Sequence, residues 1–430
     1  MRWLIVAAAF IIAAVAYLDR SNISIAAPIL KKDLGLSDVQ LGTIFSAFVI
    51  GYAVCQPFAG RIADRFGPYK IIAIGIFWWS VLTGLTAMVP ATYAGAFGLL
   101  LAVRFILGVG ESVIFPAANR LVASWVPKRE RGLANGIIFA GVGAGAAIAP
   151  PLITFIMLEH DWRWAFWITA FIGIGAMLLW LIFVRDTPTQ HRWVGQAEAA
   201  YIEADPGSAS SPSPQVVASW RSIILNRNIA VLTLSYFCFG YVAYIFFSWF
   251  FTYLSTVRGL DLKSSGIYGM LPFIAMAIAS PLGGWISDRT SIRFGERIGR
   301  CGIAGVAMAL AGVFVGLATE VADVRFASFV LAAGSGCLYI AQSAYWTLSA
   351  NIGRTSAGSV AGVMNMGGQI GGAVVGILTP ILAAEFGWSG SFLFTAGVCI
   401  VGAIAWLFID PNAELPAEEA VDAFATTTHR

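Results

Sequence analysis

The stretch Gly60–Arg65 reads GRIADR, and the stretch Gly284–Arg289, 224 residues further on, reads GWISDR. A second pair, Trp162–Ala170 and Trp388–Ala396, shares the pattern W-x-x-x-F-x-x-T-A at an offset of 226 residues. Chance rarely gives two matches at nearly the same offset. We therefore infer that the chain consists of two halves related by a parallel repeat.

Composition places these halves in a membrane. Of the 430 residues, 58% are hydrophobic and only 11% are charged, whereas a soluble domain carries about 25% charged residues. The composition excludes a soluble enzyme, a nucleic-acid binder and a disordered chain, and the net charge of +3 indicates no polyanionic partner. The five cysteines form no CxxC pair, which argues against a disulfide framework or a zinc site.

Hydrophobic stretches divide the chain evenly. A helix that crosses a bilayer needs about 20 apolar residues, and we predict twelve such spans in an all-α membrane protein with two six-helix bundles. The predicted domains are residues 1–185, a linker at 186–228 that contains the Pro/Ser-rich stretch Asp205–Pro214, residues 229–410, and a disordered tail at 411–430. The predicted spans are 3–30, 39–60, 70–89, 93–118, 132–157, 163–184, 229–255, 264–287, 300–318, 324–350, 357–384 and 389–409.

Basic residues predict the orientation. With a cytoplasmic N-terminus, 18 of the 26 Lys and Arg residues lie in cytoplasmic segments, 6 lie outside and two lie within spans. Cytoplasmic loops carry an excess of positive charge. We therefore predict that both termini are cytoplasmic, in agreement with an even number of spans.

Four charged residues fall well inside the predicted spans, more than two residues from either end, and all four are in the first half. Asp19 and Arg20 are adjacent in span one, and Arg104 and Glu111 lie two turns apart on one face of span four. One interpretation is a pair of static salt bridges between the two spans. We favour a functional site, because charge in a bilayer is costly and replacing buried ion pairs by apolar groups is often neutral or stabilising.

These residue types suit a site that couples protons to an anion. A substrate anion that binds an arginine removes the counter-charge of a neighbouring carboxylate and makes protonation of that carboxylate easier. No histidine falls within a predicted span. We therefore expect Asp19 and Glu111 to carry the protons, although sodium coupling stays open.

The loop Gly60–Lys70 resembles the signature loop between spans two and three of the major facilitator superfamily, and Gly284–Arg289 is similar to its degenerate second copy. The resemblance implies the twelve-helix major facilitator fold and a gating role for both loops. The aspartate of such a loop can pair with basic groups or with a helix N-terminus of the other half, and it can do so in one conformation only. The alternative is that the basic residues are orientation anchors. The predicted gate residues are Gly60, Asp64, Arg65, Asp288 and Arg289.

Three further motifs resemble the anion:cation symporter family, which includes galactonate, glucarate and hexuronate transporters. They are YxDRxN at Tyr17–Asn22, the pattern at Ser46–Gly60 and the RxxxGxxE run that opens Arg104–Arg120. The resemblance implies that Arg20 binds the substrate carboxylate and that Asp19 and Glu111 bind protons. It also implies that Arg104 partners an acid, and that Tyr17 and Tyr52 line the cavity.

One position departs from this family. Its sugar-acid carriers tend to place Gln in the middle of span five, where this chain has Val142. The departure gives weight to a less polar or aromatic carboxylate. In the second half, polar and aromatic residues are candidates to read the rest of the substrate, although interhelical hydrogen bonds would also explain them. These candidates are Ser343, Trp346, Asn365 and Gln369.

The sequence thus predicts a proton-coupled symporter that imports an organic anion, preferably a sugar acid, by alternating access. The alternatives are a symporter of aromatic or other less polar carboxylates, and an anion exchanger or drug exporter. We expect no enzymatic activity, no metal, and no cofactor besides the coupling protons. The expected partners are a small organic anion and the lipid bilayer, with the chain as a monomer in a bacterial cytoplasmic membrane.

Overall fold

The computed structural model describes residues 1–36, 38–90, 95–204, 218–250, 253–260 and 262–415, and within these ranges the chain is helical and contains no strand. The α-helices are α1 Arg2–Asp33, α2 Asp38–Phe66, α3 Pro68–Ala87, α4 Ala96–Glu111, α5 Ile114–Trp125, α6 Arg131–Glu159, α7 Trp162–Phe183, α8 Gln196–Glu203, α9 Trp220–Ile224, α10 Arg227–Ser248, α11 Leu262–Gly269, α12 Leu271–Phe294, α13 Ile303–Leu317, α14 Val324–Gly353 and α15 Ala357–Ala405.

Eleven helical stretches of the described chain are long and apolar enough to cross a membrane. One of them, Val324–Gly376, contains α14 and the start of α15, separated by the 3₁₀ turn Arg354–Ser356. Within α15, Gly387 has a φ of 71° and breaks the helix between predicted spans eleven and twelve. The all-helical membrane fold is confirmed, whereas the count of twelve and the orientation of the termini stay predictions.

The fourth predicted span ends later than expected. The predicted end is residue 118, but α5 continues to Trp125 with every residue buried. The reason is that Asn119 lies against the second half, where its amide donates to the Ser349 hydroxyl at 2.9 Å. Polar residues here mark a contact between the halves and not the end of a helix.

The two halves share one packing plan. In the first half α1 packs on α6 and α2 on α4, and in the second half α10 packs on α15 and α12 on α14. Between the halves, α2 packs on α15 and α6 packs on α12. The candidate site lies between these two interfaces.

The predicted linker contains two short helices, α8 and α9. The whole of its Pro/Ser-rich stretch, and residues 416–430 of the predicted tail, lie outside the described residues. The peptide of Ala218 bridges the halves: its N–H donates to the Ser356 hydroxyl and its carbonyl accepts from Arg61, both at 2.8 Å.

Candidate functional site

A cavity lies between the halves, and ten of the eighteen described residues that line it are aromatic. The predicted residues Tyr17 and Tyr52 line it from the first half, and Trp346, Asn365 and Gln369 line it from the second. The other lining residues are Phe115, Phe139, Val142, Tyr236, Phe239, Gly240, Ala243, Tyr244, Phe247, Met276, Tyr339, Gln342 and Gly368.

Arg20 lies beside this cavity within a set of aromatic rings. Its guanidinium carbon is 4.5 Å from the ring centre of Tyr17, 4.6 Å from that of Tyr52 and 4.9 Å from that of Phe48. Its Nη2 donates to Glu111 Oε1 at 2.6 Å, and its Nη1 donates to the Tyr17 hydroxyl at 3.3 Å. The Arg20 side chain is 15% exposed and that of Glu111 is 1% exposed. Arg20 is not itself among the described lining residues, but it contacts Tyr17 and Tyr52, which are, and the Glu111 carboxylate is more deeply buried.

Arg104 contacts the same aromatic ring as Arg20. It is buried, its guanidinium carbon lies 4.9 Å from the Phe48 ring centre, and it forms no ion pair with any described residue. Glu111 turns towards Arg20, and Asp19 accepts from a hydroxyl, so the expected pairing of Arg104 with an acid stays a prediction. Arg104 therefore brings a buried positive charge to the site without a direct partner.

Asp19 faces the interior of the first half. Adjacent helical residues point about 100° apart, so Asp19 and Arg20 diverge although they are neighbours in sequence. One oxygen of Asp19 accepts from the Thr83 hydroxyl at 2.7 Å, and the other has no partner in the described structure. The two acids of the first half thus occupy different surroundings.

The second half contributes a wall of aromatic and amide side chains. The predicted Ser343 is not among the lining residues; it is fully buried, and its hydroxyl has no partner among the described residues. Its neighbour Gln342 lines the cavity instead, because Tyr339, Gln342 and Trp346 share one face of α14 through the three-then-four spacing of a helix. That spacing was present in the sequence and would have selected Gln342 over Ser343.

Aromatic rings also occupy the region around Val142. The Phe115 and Phe139 rings are stacked at 5.4 Å, and the ring centres of Phe139 and Trp346 lie 5.0 Å apart. Val142 itself lines the cavity. This side of the site is therefore apolar where a hydroxyl-rich ligand would need hydrogen-bond partners.

A polar contact joins the halves at the predicted cytoplasmic end. Asp64, at the end of α2, accepts from the backbone N–H groups of Gly358 and Ser359 at 2.8 and 2.7 Å, in the first turn of α15. The Asp64 carboxylate also lies 3.8 Å from Arg120. At Gly60 a side chain would overlap the Gly358 carbonyl oxygen. The two helices approach this closely only because glycine occupies the position.

The second copy of the loop makes the matching contact. Asp288 accepts from the N–H groups of Gly132 and Leu133 at 3.0 and 2.6 Å, in the first turn of α6, and it pairs with Arg300. At Gly284 a side chain would overlap the Gly132 carbonyl oxygen.

The arginines that pair with the gate acids are Arg120 and Arg300, and not those of the loops themselves. Arg65 and Arg289 are exposed and lie outside both contacts. The loop motif contains the acids of both contacts, whereas their basic partners come from other segments of the same half. The gating role of the acids stays a prediction.

The sequence matches the Major Facilitator Superfamily over residues 9–376 and 293–428. The "Probable sulfoacetate transporter SauU" of Cupriavidus necator is 34% identical over 410 residues, which cover 94% of each chain. The "Hexuronate transporter" of Bacillus subtilis is 29% identical over 95% of this chain and 94% of that protein. The "D-galactonate transporter" of Escherichia coli is 26% identical over 95% of each.

Solved structures share the fold. The proton:xylose symporter XylE has a TM-score of 0.74 at 16% identity and covers 96% of this chain and 97% of that one. FucP in its outward conformation has a TM-score of 0.71 at 18% identity, covering 95% and 99%. This chain belongs to the Major Facilitator Superfamily. It is a multi-pass membrane transporter and not an enzyme, as its relatives indicate.

Proposed function

We propose that this protein imports a small organic anion together with protons across a bacterial cytoplasmic membrane. The observation that carries the proposal is the ion pair between Arg20 and Glu111, at 2.6 Å, with the arginine beside the cavity and the acid buried behind it. The anion carboxylate binds Arg20, and the proton binds Glu111. The similarity to transporters named for sulfoacetate, hexuronate and galactonate supports an organic acid as the substrate.

Anion and proton binding assist each other through this pair. When a substrate carboxylate takes the Arg20 guanidinium, Glu111 loses its hydrogen-bonded counter-charge. Leaving one partner of a buried pair without the other costs about 3–5 kcal/mol. Protonation removes most of that cost, because a neutral carboxyl group is far cheaper to bury than a carboxylate. Binding of the anion therefore promotes uptake of a proton, and the converse holds by linkage.

Asp19 is the candidate for a second proton site. It is buried away from Arg20, and one of its oxygens has no partner among the described residues. Arg104 contributes positive charge to both acids of the site. Protonation of Asp19 would leave that positive charge less compensated, which would favour binding of an anion nearby.

The gate contacts supply the conformational step. Asp64 and Asp288 close the end of the molecule that carries both repeated loops. Rocking of the halves would separate these carboxylates from the helix N-termini and open the cavity at that end.

Two substrate classes follow from different observations. Sugar acids are supported by the relatives named for hexuronate and galactonate. Less polar carboxylates are supported by the aromatic wall and by Val142 in that wall. Both classes present one carboxylate to Arg20.

The test is uptake of labelled organic acids by proteoliposomes under an imposed inward proton gradient. We expect accumulation above the equilibrium level, and an inward sodium gradient should not replace the proton gradient. If neither class of acid accumulates under the proton gradient, the proposal fails.

The Glu111→Gln variant tests the assigned proton site. We expect it to lose gradient-driven accumulation while retaining counterflow exchange, because the amide cannot carry the proton. The exposed Glu320→Gln serves as the matched control. Gradient-driven uptake at the wild-type rate in Glu111→Gln would remove Glu111 from the mechanism.

A further inference from the structure

The hydrogen-bond inventory of Tyr236 leaves its hydroxyl hydrogen free. The phenol oxygen accepts from Gln342 Nε2 at 3.0 Å and from Trp346 Nε1 at 3.1 Å. A phenol oxygen has two acceptor sites and one hydrogen. Because both acceptor sites are filled, the hydroxyl hydrogen is available as a donor. Tyr236 lines the cavity, so a ligand is a suitable acceptor.

Gln342 leaves an acceptor open beside this donor. The residue is 2% exposed and lines the cavity, yet its Oε1 has no partner among the described residues. Rotating the Gln342 side-chain amide by 180° would not satisfy both of its polar atoms. Oε1 would then accept from the Tyr236 hydroxyl, and Nε2 would be left without a partner. A buried amide atom without a partner costs free energy. A polar group of the ligand would remove that cost.

This wall carries no charge. Every lining residue from α10 to α15 is neutral, and the basic group beside the cavity, Arg20, belongs to the first half. A wall without positive charge offers no counter-charge to a second carboxylate or a sulfonate. A hydroxyl fits both open atoms, since it donates to Gln342 Oε1 and accepts from Tyr236.

The body of the ligand would lie between these two ends. Phe115, Phe139 and Trp346 present rings with centre separations of 5.0 to 6.0 Å. Aromatic rings favour offset or edge contacts with another ring at such distances. A planar apolar body suits this surface better than a chain of hydroxyls does.

We propose that the site takes a monocarboxylate with a planar apolar body and one hydroxyl at the far end, which Gln342 and Tyr236 bind. The proposal rests on the proposed function, in which Arg20 holds the carboxylate. It names Gln342 as a residue that determines substrate specificity.

The test compares two ligands that differ by one hydroxyl. Binding of 3-(4-hydroxyphenyl)propanoate and 3-phenylpropanoate to the purified full chain is measured by calorimetry, with D-gluconate and sulfoacetate as competitors. We expect the hydroxylated acid to bind at least about tenfold more tightly, because a site with open polar atoms rejects the analogue that lacks the hydroxyl. Gluconate and sulfoacetate should compete weakly.

Two variants assign the effect to the pair. Gln342→Leu and Tyr236→Phe should each weaken binding of the hydroxylated acid and change binding of the other acid less than about threefold. The control is Ser328→Ala on the same helix, whose hydroxyl bonds to the carbonyl of Val324. Thermal melting of each variant verifies folding. Tyr236→Phe keeps the ring if Gln342→Leu does not fold.

The outcomes separate this proposal from the one on which it rests. Three results would overturn the hydroxyl site and leave Arg20 as the anion site. The first is equal affinity for the two acids, and the second is that each variant loses the same affinity for both acids. The third is tighter binding of gluconate or sulfoacetate than of the hydroxylated acid. If no acid of the panel binds, or if binding does not depend on Arg20, both proposals fail.

Discussion

Arg20 is fixed in place before any anion arrives. The rings of Tyr17, Tyr52 and Phe48 each lie within 5 Å of its guanidinium carbon. Each such contact contributes about 0.5–2 kcal/mol depending on its exposure to water. The rings hold the planar group so that its charge meets Glu111 on one side and the cavity on the other. The Arg20 side chain therefore loses little conformational entropy when a carboxylate binds.

The Arg20→Lys variant should bind organic acids at least about tenfold more weakly. Lysine keeps the charge but cannot form two parallel hydrogen bonds to a carboxylate or stack flat on the rings. Calorimetric titration measures the change, with the exposed Arg325→Lys as control. Wild-type affinity in Arg20→Lys would show that the anion binds elsewhere.

Val142 sets the polarity of the wall beside the aromatic rings. A Val142→Gln variant adds an amide to this wall and should shift preference from 3-phenylpropanoate towards D-gluconate. The variant Val142→Met fills similar volume without an amide and should not produce the shift. Competition binding with both acids measures it. An unchanged ratio of the two affinities in Val142→Gln would show that residue 142 does not contact the substrate.

The proposed gate consists of two contacts between a carboxylate and the N-terminus of a helix. Asp64 and Asp288 each accept two backbone N–H groups from the first turn of a helix in the other half. Those N–H groups have no partner within their own helix, and the helix N-terminus carries a partial positive charge. The contact is therefore strong when the ends meet and is lost entirely when they separate. This is the behaviour that a two-state gate requires.

Replacement of Asp64 by Asn should weaken the closed end. The amide offers one acceptor and no charge, so we expect a loss of about 1–3 kcal/mol. Hydrogen exchange of the first turn of α15, residues 357–360, should become faster in Asp64→Asn than in wild type. The exposed Arg65→Gln is the control. Unchanged exchange in this turn would mean that Asp64 does not hold the gate.

The glycine at the second interface offers an independent test. In Gly284→Ala the new methyl group would overlap the Gly132 carbonyl oxygen, so α12 and α6 must separate. We expect faster exchange at residues 131–136 and a larger population opened at this end. The control is Gly376→Ala, where no atom lies within 4 Å of the added carbon. Equal exchange in the two variants would contradict the close-approach argument.

The whole molecule shows which features its sequence could predict. The repeat of Gly60–Arg65 at Gly284–Arg289 predicted two halves, and low charge predicted the membrane, because both depend on composition and spacing alone. The sequence also predicted which four charged residues lie within the spans. Their pairing was not predicted, because it depends on side-chain direction: adjacent Asp19 and Arg20 diverge, and Glu111 turns to Arg20 and away from Arg104.

The sequence likewise did not predict contacts between segments that are distant along the chain. The burial of Asn119 against the second half, and the pairing of Arg300 with Asp288, need the tertiary fold. Ser343 was predicted as a polar residue of the second half, although the helical spacing of Tyr339, Gln342 and Trp346 favours Gln342. Local sequence patterns were thus sufficient to predict the helices, whereas the contacts between polar atoms depend on how the helices pack.

The protein couples its two ligands through one shared arginine in this account. The anion enters from the cavity, Glu111 is released from Arg20, and a proton takes the place of the lost counter-charge. No contact between proton and anion is needed. The halves then move as units about the site, with the gate acids leaving or meeting the helix ends.

The most direct test of this coupling is proton uptake on anion binding to purified protein in weakly buffered solution. The account predicts that a saturating organic acid makes wild-type protein take up protons from solution. It predicts that Glu111→Gln takes up fewer protons while still binding the acid. Binding without proton uptake in wild type, or the same uptake in Glu111→Gln, would contradict it.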